Sequence, residues 1–304
     1  CLALRVHVIL GPGVNIKRSP TGGRNFEYFS EDPLLSGELG AAYIDGVQAE
    51  GVGTSLKHFA CNSQETQRMV ASAEISERAL REIYLPNFEI PVKKSSPWTV
   101  MAAYNPVNGI DATANKYLLS DILSDEWGYE GIVISDWVSV FDRVEGIKAG
   151  MHVEMPGNTG INDAKLVAAV KQGTLAESEL DKLVREILQI VFKAKAGEKE
   201  NAAIDAEQHH SQARKVAAET FVLLKNDDTT LPITAEKYST IALLGELAVA
   251  PRFQGNGSSE VKPTRIDNLR DELTVLVGDE LQLEYSQGYQ LAADDDMGLI
   301  PAAV

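Results

Sequence analysis

The 304-residue chain reads as an α/β protein on three observations. Apolar runs with strand character alternate with segments of helical periodicity. The alternation restarts after a charged stretch near residue 200. One apolar run, Gly131-Ile132-Val133-Ile134-Ser135-Asp136-Trp137, ends in a carboxylate with an aromatic beside it. Repeated β-then-α order predicts parallel strands with right-handed crossovers, as in an open doubly wound sheet or a closed barrel.

In chain order, strands are expected over 5–10, 52–59, 98–104, 131–137 and 151–155, where apolar and β-branched residues run together. Helices are expected between and after them, over 36–49, 76–94, 119–127, 138–148 and 161–171. Five strands fall short of eight. If the unit is a barrel, the shortfall lies at the amino end, because the chain begins inside a strand with no helix before it. About three β-α units would then be absent, and the natural beginning is expected to be missing.

A long helix over 177–196 leads into Gly197-Glu-Lys-Glu-Asn201, a charged stretch of linker composition. The first unit is therefore placed at 1–200 and a linker at 201–216. From residue 217 a second α/β unit begins, with a helix through Phe221-Val-Leu-Leu224, a strand over 240–245, a helix over 266–277 and a strand over 281–285. It too is expected to be partial, since two strands do not make a stable layered sheet unaided.

Twenty-eight Lys and Arg stand against 44 Asp and Glu, a net charge of −16. That balance argues against nucleic acid or an anionic membrane surface and suits a neutral substrate. Cys1 and Cys61 lack metal or redox spacing, and His209-His210 lacks a further ligand. No metal is assigned, and no cofactor is expected. No apolar run approaches the roughly 18 residues that span a bilayer. Compartment stays open between cytoplasm and export, and oligomeric state is open, including a homo-oligomer.

In barrel enzymes the chemistry sits at the carboxyl ends of the strands, where a mostly apolar strand has no packing use for an Asp. Asp136 is thus the candidate nucleophile; the competing reading is that Ser135 and Asp136 cap a helix starting near Val138. Lys57-His58-Phe59 ends the strand beginning at Val52, so a cation and an imidazole would face the same mouth, and both can donate to hydroxyls. Asn62, Gln64, Glu65 and Arg68 follow at once. In the loop from Gly22 to Pro33, Arg24 could clamp a vicinal diol or a carboxylate with Glu27 and Asp32 holding its fork, or the acidic residues could form a structural ion-pair network. Met101, Tyr104 and Asn105 close the third strand, and Trp137 follows Asp136; aromatic faces beside donors suit a sugar ring, although core packing explains Met101 equally well. His152 is read as a packed residue. An Asp attacking an anomeric carbon needs a second carboxyl roughly 5 Å away if configuration is retained, and no visible carboxylate is an obvious partner.

In this order, Gly11-Pro-Gly-Val-Asn-Ile-Lys-Arg18, Gly23-Arg-Asn-Phe-Glu-Tyr-Phe-Ser-Glu-Asp-Pro33, Lys57-His-Phe59 with Asn62, Gln64-Glu65 and Arg68, Met101-Ala-Ala-Tyr-Asn105, Val133-Ile-Ser-Asp-Trp137 and Glu154-Met-Pro-Gly157 closely resemble the β-glucosidases of glycoside hydrolase family 3. The resemblance runs nearly end to end. It implies an α/β architecture of a (β/α)8-type barrel, here incomplete at its N-terminus, followed by the start of an α/β sandwich domain. It also implies a retaining two-step release of terminal β-D-glucose from a β-glucoside or short oligosaccharide. Asp136 falls on the family's nucleophile. Arg24, Lys57, His58, Arg68, Met101 and Tyr104 fall on positions that shape the subsite for the non-reducing sugar, Trp137 on its aromatic wall, and Ser258 in a glycine-rich loop, Gln254–Ser259, on a substrate contact from the second domain.

The family's hydroxyl-binding Asp would lie upstream of Cys1 and its acid/base Glu beyond Val304, so the remaining segments of one polypeptide are the expected partners. Glu246 stands where the family commonly has Pro. The family's N-acetylglucosaminidase branch carries a His and Asp pair in a loop after Lys-His-Phe, a pattern that 61–68 lacks, which favours glucose-type substrates. β-Xylosides are the alternative within the class. A non-hydrolytic sugar-binding protein or inactive remnant is the alternative outside it, because the acid/base is not among these residues.

Overall fold

The computed structural model describes residues 1–255, 257–291 and 298–303. Two units divide the chain, Cys1–Ile204 and Asp205–Val304.

The first unit is built on four parallel strands in sheet order β1 (Val8–Ile9), β2 (Gly53–Phe59), β3 (Thr99–Ala102) and β6 (Ile132–Ile134). A single parallel bridge from Ile134 to Val153 carries the order one position further. A short hairpin of β4 (Pro106–Val107) and β5 (Ile110–Asp111) follows β3. The expected strand over 151–155 is reduced to that bridge, and the strand over 5–10 to two residues, because Arg5 takes a left-handed conformation after a helical turn at Leu2–Leu4.

Helix α1 (Pro33–Ala49) starts where Asp32 accepts hydrogen bonds from the N–H groups of Leu34 and Leu35 at 2.7 and 3.2 Å, with Pro33 at the first helical position. Asp32 is thus a cap and does not hold Arg24. The helix expected over 76–94 is interrupted. A short α2 (Glu77–Ala79), capped by Ser76, runs into a wide turn at Leu80–Tyr84, and α3 (Pro86–Ser95) starts afresh at Pro86, which has no N–H to continue a helix. A wide-wound helix, Tyr117–Glu126, precedes β6.

The helix expected from Val138 begins five residues later. Asp142 caps α4 (Arg143–Ala149) through the N–H groups of Val144 and Glu145, and Gly150 closes it at a φ of 94°. Ser135 and Asp136 therefore cap nothing, and the carboxylate is free for other work. Helices α5 (Ile161–Lys171) and α6 (Glu177–Ala196) complete the unit.

Alternating side chains of the sheet enter two cores. Val100, Ala102 and Val133 join Leu56, Phe59, Phe88, Leu118 and Ile122. Met101, Ile132 and Ile134 join Val153, Met155 and the α6 residues Ile187 and Ile190. Burial on both faces is why these strands are apolar throughout. His152 donates to Glu186 of α6 at 2.8 Å and accepts from the Val133 N–H at 3.0 Å, so it is a packed residue that ties α6 to the end of the sheet.

In the second unit α7 (Ala206–Thr220) starts at Asp205, whose side chain accepts from the Gln208 N–H at 2.9 Å. Much of the stretch 201–216 read as linker is thus helical. The expected helix through Phe221–Leu224 does not form. Phe221 is extended, with φ −71° and ψ 129°, and all four apolar side chains are exposed. Strands β7 (Thr240–Leu244) and β8 (Gln282–Ser286) pair in parallel, and α8 (Leu269–Val277), capped by Asn268, connects them. Glu246, in place of a proline, begins a helical turn and accepts the Leu291 N–H at 2.6 Å. No helix among the described residues is long and apolar enough to cross a membrane.

Candidate active site

Strand register builds the site from its floor upward. Lys57 pairs with Met101 and Met101 with Ile134, so the three form one row across β2, β3 and β6. Asp136 stands two residues beyond Ile134, on the same face by strand periodicity. Met101, 2 % exposed, packs with Ile132 and Ile134 in the layer beneath.

Consecutive side chains of a regular strand point to opposite faces. A register shift between Lys57 and Phe59 breaks that rule, and both Lys57 and His58 reach one cluster. Lys57 Nζ lies 3.1 Å from Glu27 Oε2, the Arg24 Nε–H donates to Glu27 Oε1, and Arg24 Nη2 lies 2.8 Å from His58 Nε2. Glu27 thus holds the fork of Arg24, one of the two carboxylates the sequence offered for that task.

Two residues that sequence reading quoted without a role fix His58. The amide of Asn15 grips both backbone groups, donating from Nδ2 to the His58 carbonyl at 2.9 Å and accepting the His58 N–H on Oδ1 at 2.7 Å. Tyr28 Oη sits 3.0 Å from His58 Nδ1, and Asn62 Nδ2 donates to the same oxygen at 3.2 Å. A Cβ on Gly13 would come within 2.9 Å of the Tyr28 ring, so only glycine lets that ring lie where it does. The available signal was Asn15 itself: an amide inside the apolar Val14-Asn15-Ile16, 1 % exposed, must find partners.

Glu65 continues the network, accepting from Asn62 Nδ2 at 3.3 Å and from Arg68 Nη1 at 2.8 Å. The Arg68 guanidinium lies over the Tyr104 ring, 4.1 Å from its centroid.

Asp136 is 8 % exposed. Its Oδ1 accepts the Trp137 N–H at 2.7 Å; its Oδ2 is buried without a hydrogen bond of normal geometry and lies 3.4 Å from His58 Nε2. Burial raises the carboxyl above the ordinary aspartate range, while the Trp137 N–H, Arg24, the Tyr104 hydroxyl and Lys57 favour the carboxylate and limit the rise. Burial, reinforced by Asp136, pushes Tyr104 up to about 12. His58 is driven well below its usual range by burial and by Arg24, Lys57 and Arg68, so it is a neutral imidazole and the 3.4 Å approach to Asp136 is not an ion pair. The Nη1 of Arg24 is likewise buried and unpartnered.

A partly buried carboxylate with a free oxygen, an Arg with a free donor, a Lys, and a Tyr backed by a second Arg surround one point, with Trp137 half exposed beside it. Such a site can attack an electrophilic carbon while donors hold the hydroxyls around it. Glu27 and Glu65 are each engaged by cations.

A cavity of about 440 Å³, lined among others by Arg18, Cys61, Gln64, Tyr84 and Asn105, shares no residue with this cluster. Burial pushes the Cys61 thiol there up to about 12, which excludes it as a ready nucleophile. Ser258 lies in the second unit, exposed on the short turn Gly257–Ser259; Asn256 of the same loop falls outside the described residues. No group of three or more metal-binding side chains occurs among the described residues.

Residues 1–190 match the glycosyl hydrolase family 3 N terminal domain and residues 221–300 the family's C-terminal domain. Thermostable beta-glucosidase B of Acetivibrio thermocellus is 52% identical over 294 residues, 97% of this chain and 39% of that protein. An exo-alpha-(1->6)-L-arabinopyranosidase of Bifidobacterium longum is 47% identical over 281 residues, covering 90% of this chain and 37% of that one. Among solved structures, the Bifidobacterium adolescentis GH3 beta-glucosidase aligns over 100% of this chain and 44% of its own, with a TM-score of 0.92 and 44% identity. Beta-glucosidase 3B of Thermotoga neapolitana in complex with glucose aligns over 91% of this chain and 39% of its own, with a TM-score of 0.83 and 42% identity. The chain thus spans about two fifths of the length of the curated relatives it matches, and these neighbours carry a barrel followed by an α/β sandwich.

Proposed function

The chain belongs to glycosyl hydrolase family 3, and from that premise we propose that it carries the sugar-binding and nucleophilic half of an exo-acting retaining β-glucosidase. The observation that carries this reading is Asp136, a carboxylate at the end of an apolar strand with one oxygen fixed by a backbone N–H and the other buried and unpartnered. In the proposed reaction Asp136 Oδ2 attacks the anomeric carbon of a terminal β-glucoside. The bond to the leaving oxygen breaks as the glycosyl–Asp bond forms, and water then cleaves that ester with a second inversion.

Arg24 and Lys57, held by Glu27, donate to the sugar hydroxyls. Tyr104 and Arg68 close one side of the ring and Trp137 offers an aromatic face to the aglycone side. The acid/base is assigned to no residue of this chain. Release of nitrophenol from its β-D-glucoside by the intact protein, abolished in Asp136→Ala with the fold retained, tests the reading; substantial residual turnover in that variant would overturn it.

The Bifidobacterium relative favours a second reading within the class. The terminal sugar would be an α-L-arabinopyranoside, a pyranoside without the hydroxymethyl group of glucose. Comparing kcat/KM for the two nitrophenyl glycosides decides between them, because each subsite hydroxyl contact contributes separately to discrimination.

A further inference from the structure

The hydrogen bonds around His58 settle which ring nitrogen carries the proton. A guanidinium only donates, so Nε2, 2.8 Å from Arg24 Nη2, accepts. A neutral imidazole with one accepting nitrogen holds its hydrogen on the other, and Nδ1–H therefore donates to Tyr28 Oη at 3.0 Å. On the far side of Tyr28 the orientation of Asn62 is fixed by the Glu65 carboxylate, which requires the amide NH2; that group also donates to Tyr28 Oη. The phenol oxygen is thus a double acceptor, 6 % exposed, with its ring edge-on to the imidazole at a centroid separation of 6.0 Å.

We propose that Arg24 sets His58 in the Nδ1–H tautomer and that Tyr28, taking that hydrogen, is a positioning residue that holds the imidazole so that Nε2 accepts from Arg24 and aims the remaining donor of the guanidinium at the ligand. The other tautomer would set an Nε2 hydrogen against the Arg24 N–H hydrogens. It would also turn Nε2 into a donor toward Asp136 Oδ2, 3.4 Å away. That exchange would release Arg24 and draw down the charge on Asp136. With the lock in place, Glu27 takes Nε and His58 takes Nη2 of Arg24, and Nη1 is left buried and unpartnered. Asn15, by gripping both backbone groups of His58, leaves the ring no freedom to avoid the choice through a backbone shift. The consequence for a sugar rests on the glycosidase reading; the tautomer does not.

The test is a two-bond proton–nitrogen correlation spectrum of the intact protein labelled with 15N-histidine, at neutral pH and without ligand, His58 being identified by the signals lost in His58→Asn. The expected pattern is a protonated, pyrrole-type Nδ1 and an unprotonated, pyridine-type Nε2. In Tyr28→Phe the Nδ1–H tautomer should persist, because Arg24 still donates to Nε2, but the Nδ1 hydrogen should lose its hydrogen-bonded chemical shift and glucose affinity should weaken about tenfold, the scale of one hydrogen bond to a charged group. A wild-type His58 protonated at Nε2, or on both nitrogens, would overturn the proposal. So would a Tyr28→Phe variant whose Nδ1 hydrogen signal is unchanged. Should that variant not fold, the wild-type spectrum decides alone. Nδ1–H in a protein that hydrolyses no glycoside would sink the glycosidase reading and leave the lock standing.

Discussion

Asn15 and His58 are joined twice, Nδ2 to the carbonyl at 2.9 Å and Oδ1 from the N–H at 2.7 Å, so one buried amide satisfies both backbone groups of a residue 43 positions away. Asn15→Ala strands a donor and an acceptor in the interior. Each unsatisfied buried group costs about 1–3 kcal/mol, so the loss of unfolding free energy should be about 2–6 kcal/mol. Asn15→Asp should also destabilise, since a carboxylate accepts the N–H but repels the carbonyl. Urea unfolding of both variants measures it, and a change within about 0.5 kcal/mol would mean that water or relaxation replaces the amide.

Asp136 is held in a state that suits attack and opposes folding. Its pKa is raised by burial, so its ionisation carries a cost that appears as pH rises through the ordinary aspartate range. Asp136→Asn should therefore reduce hydrolysis by about 10⁴-fold or more while leaving stability at neutral pH unchanged or raised by about 1 kcal/mol. Paired kinetics and thermal melts check both halves, and a large destabilisation would mark the carboxylate as structural.

The sign for His58 is the opposite. Its folded pKa lies well below 6.5, lowered by burial and by Arg24, Lys57 and Arg68. As pH falls through 6.5 the unfolded chain takes up a proton that the folded chain refuses, so stability contributed by the neutral ring is lost on acidification. The melting temperature should drop from about pH 7 to about pH 5, and the slope should be shallower in His58→Gln. Equal slopes would show that His58 titrates normally.

Arg24→Lys keeps the charge and discards the fork. A Lys cannot meet Glu27, His58 and a ligand together, so glucose affinity should fall about tenfold to a hundredfold with the thermal melt little changed. Calorimetric titration with glucose reads the affinity directly, and unaltered binding would place the sugar elsewhere.

Much of this was legible in one dimension because strand chemistry is local. An Asp closing an apolar strand, and Lys57-His58 closing another, carry their meaning within a few residues, and the parallel sheet follows from the β-α alternation. What escaped depended on contacts across the chain. Asp32 reads equally well as an Arg24 partner or a helix cap until the N–H groups of Leu34 and Leu35 are in place. Asp142 outcompetes the Ser135-Asp136 pair as a cap because Asp136 is held by the Trp137 N–H and the chain is still non-helical there. Phe221–Leu224 has a helix-compatible pattern yet forms no helix, and periodicity alone cannot separate helix from strand or loop for a four-residue apolar run. The roles of Asn15 and Tyr28 exist only once His58 is beside them.

The most direct test of the account is covalent trapping. The intact protein would be incubated with a 2-deoxy-2-fluoro-β-glucoside bearing an activated leaving group, then digested with protease for peptide mass spectrometry. The fluorine slows both steps by destabilising the oxocarbenium-like transition state, and the activated aglycone restores the first, so the glycosyl ester accumulates. The account expects one sugar adduct per chain, on the peptide that contains Asp136 and lost in Asp136→Ala. An adduct on another carboxylate, or turnover of ordinary β-glucosides with no adduct at Asp136, would contradict it.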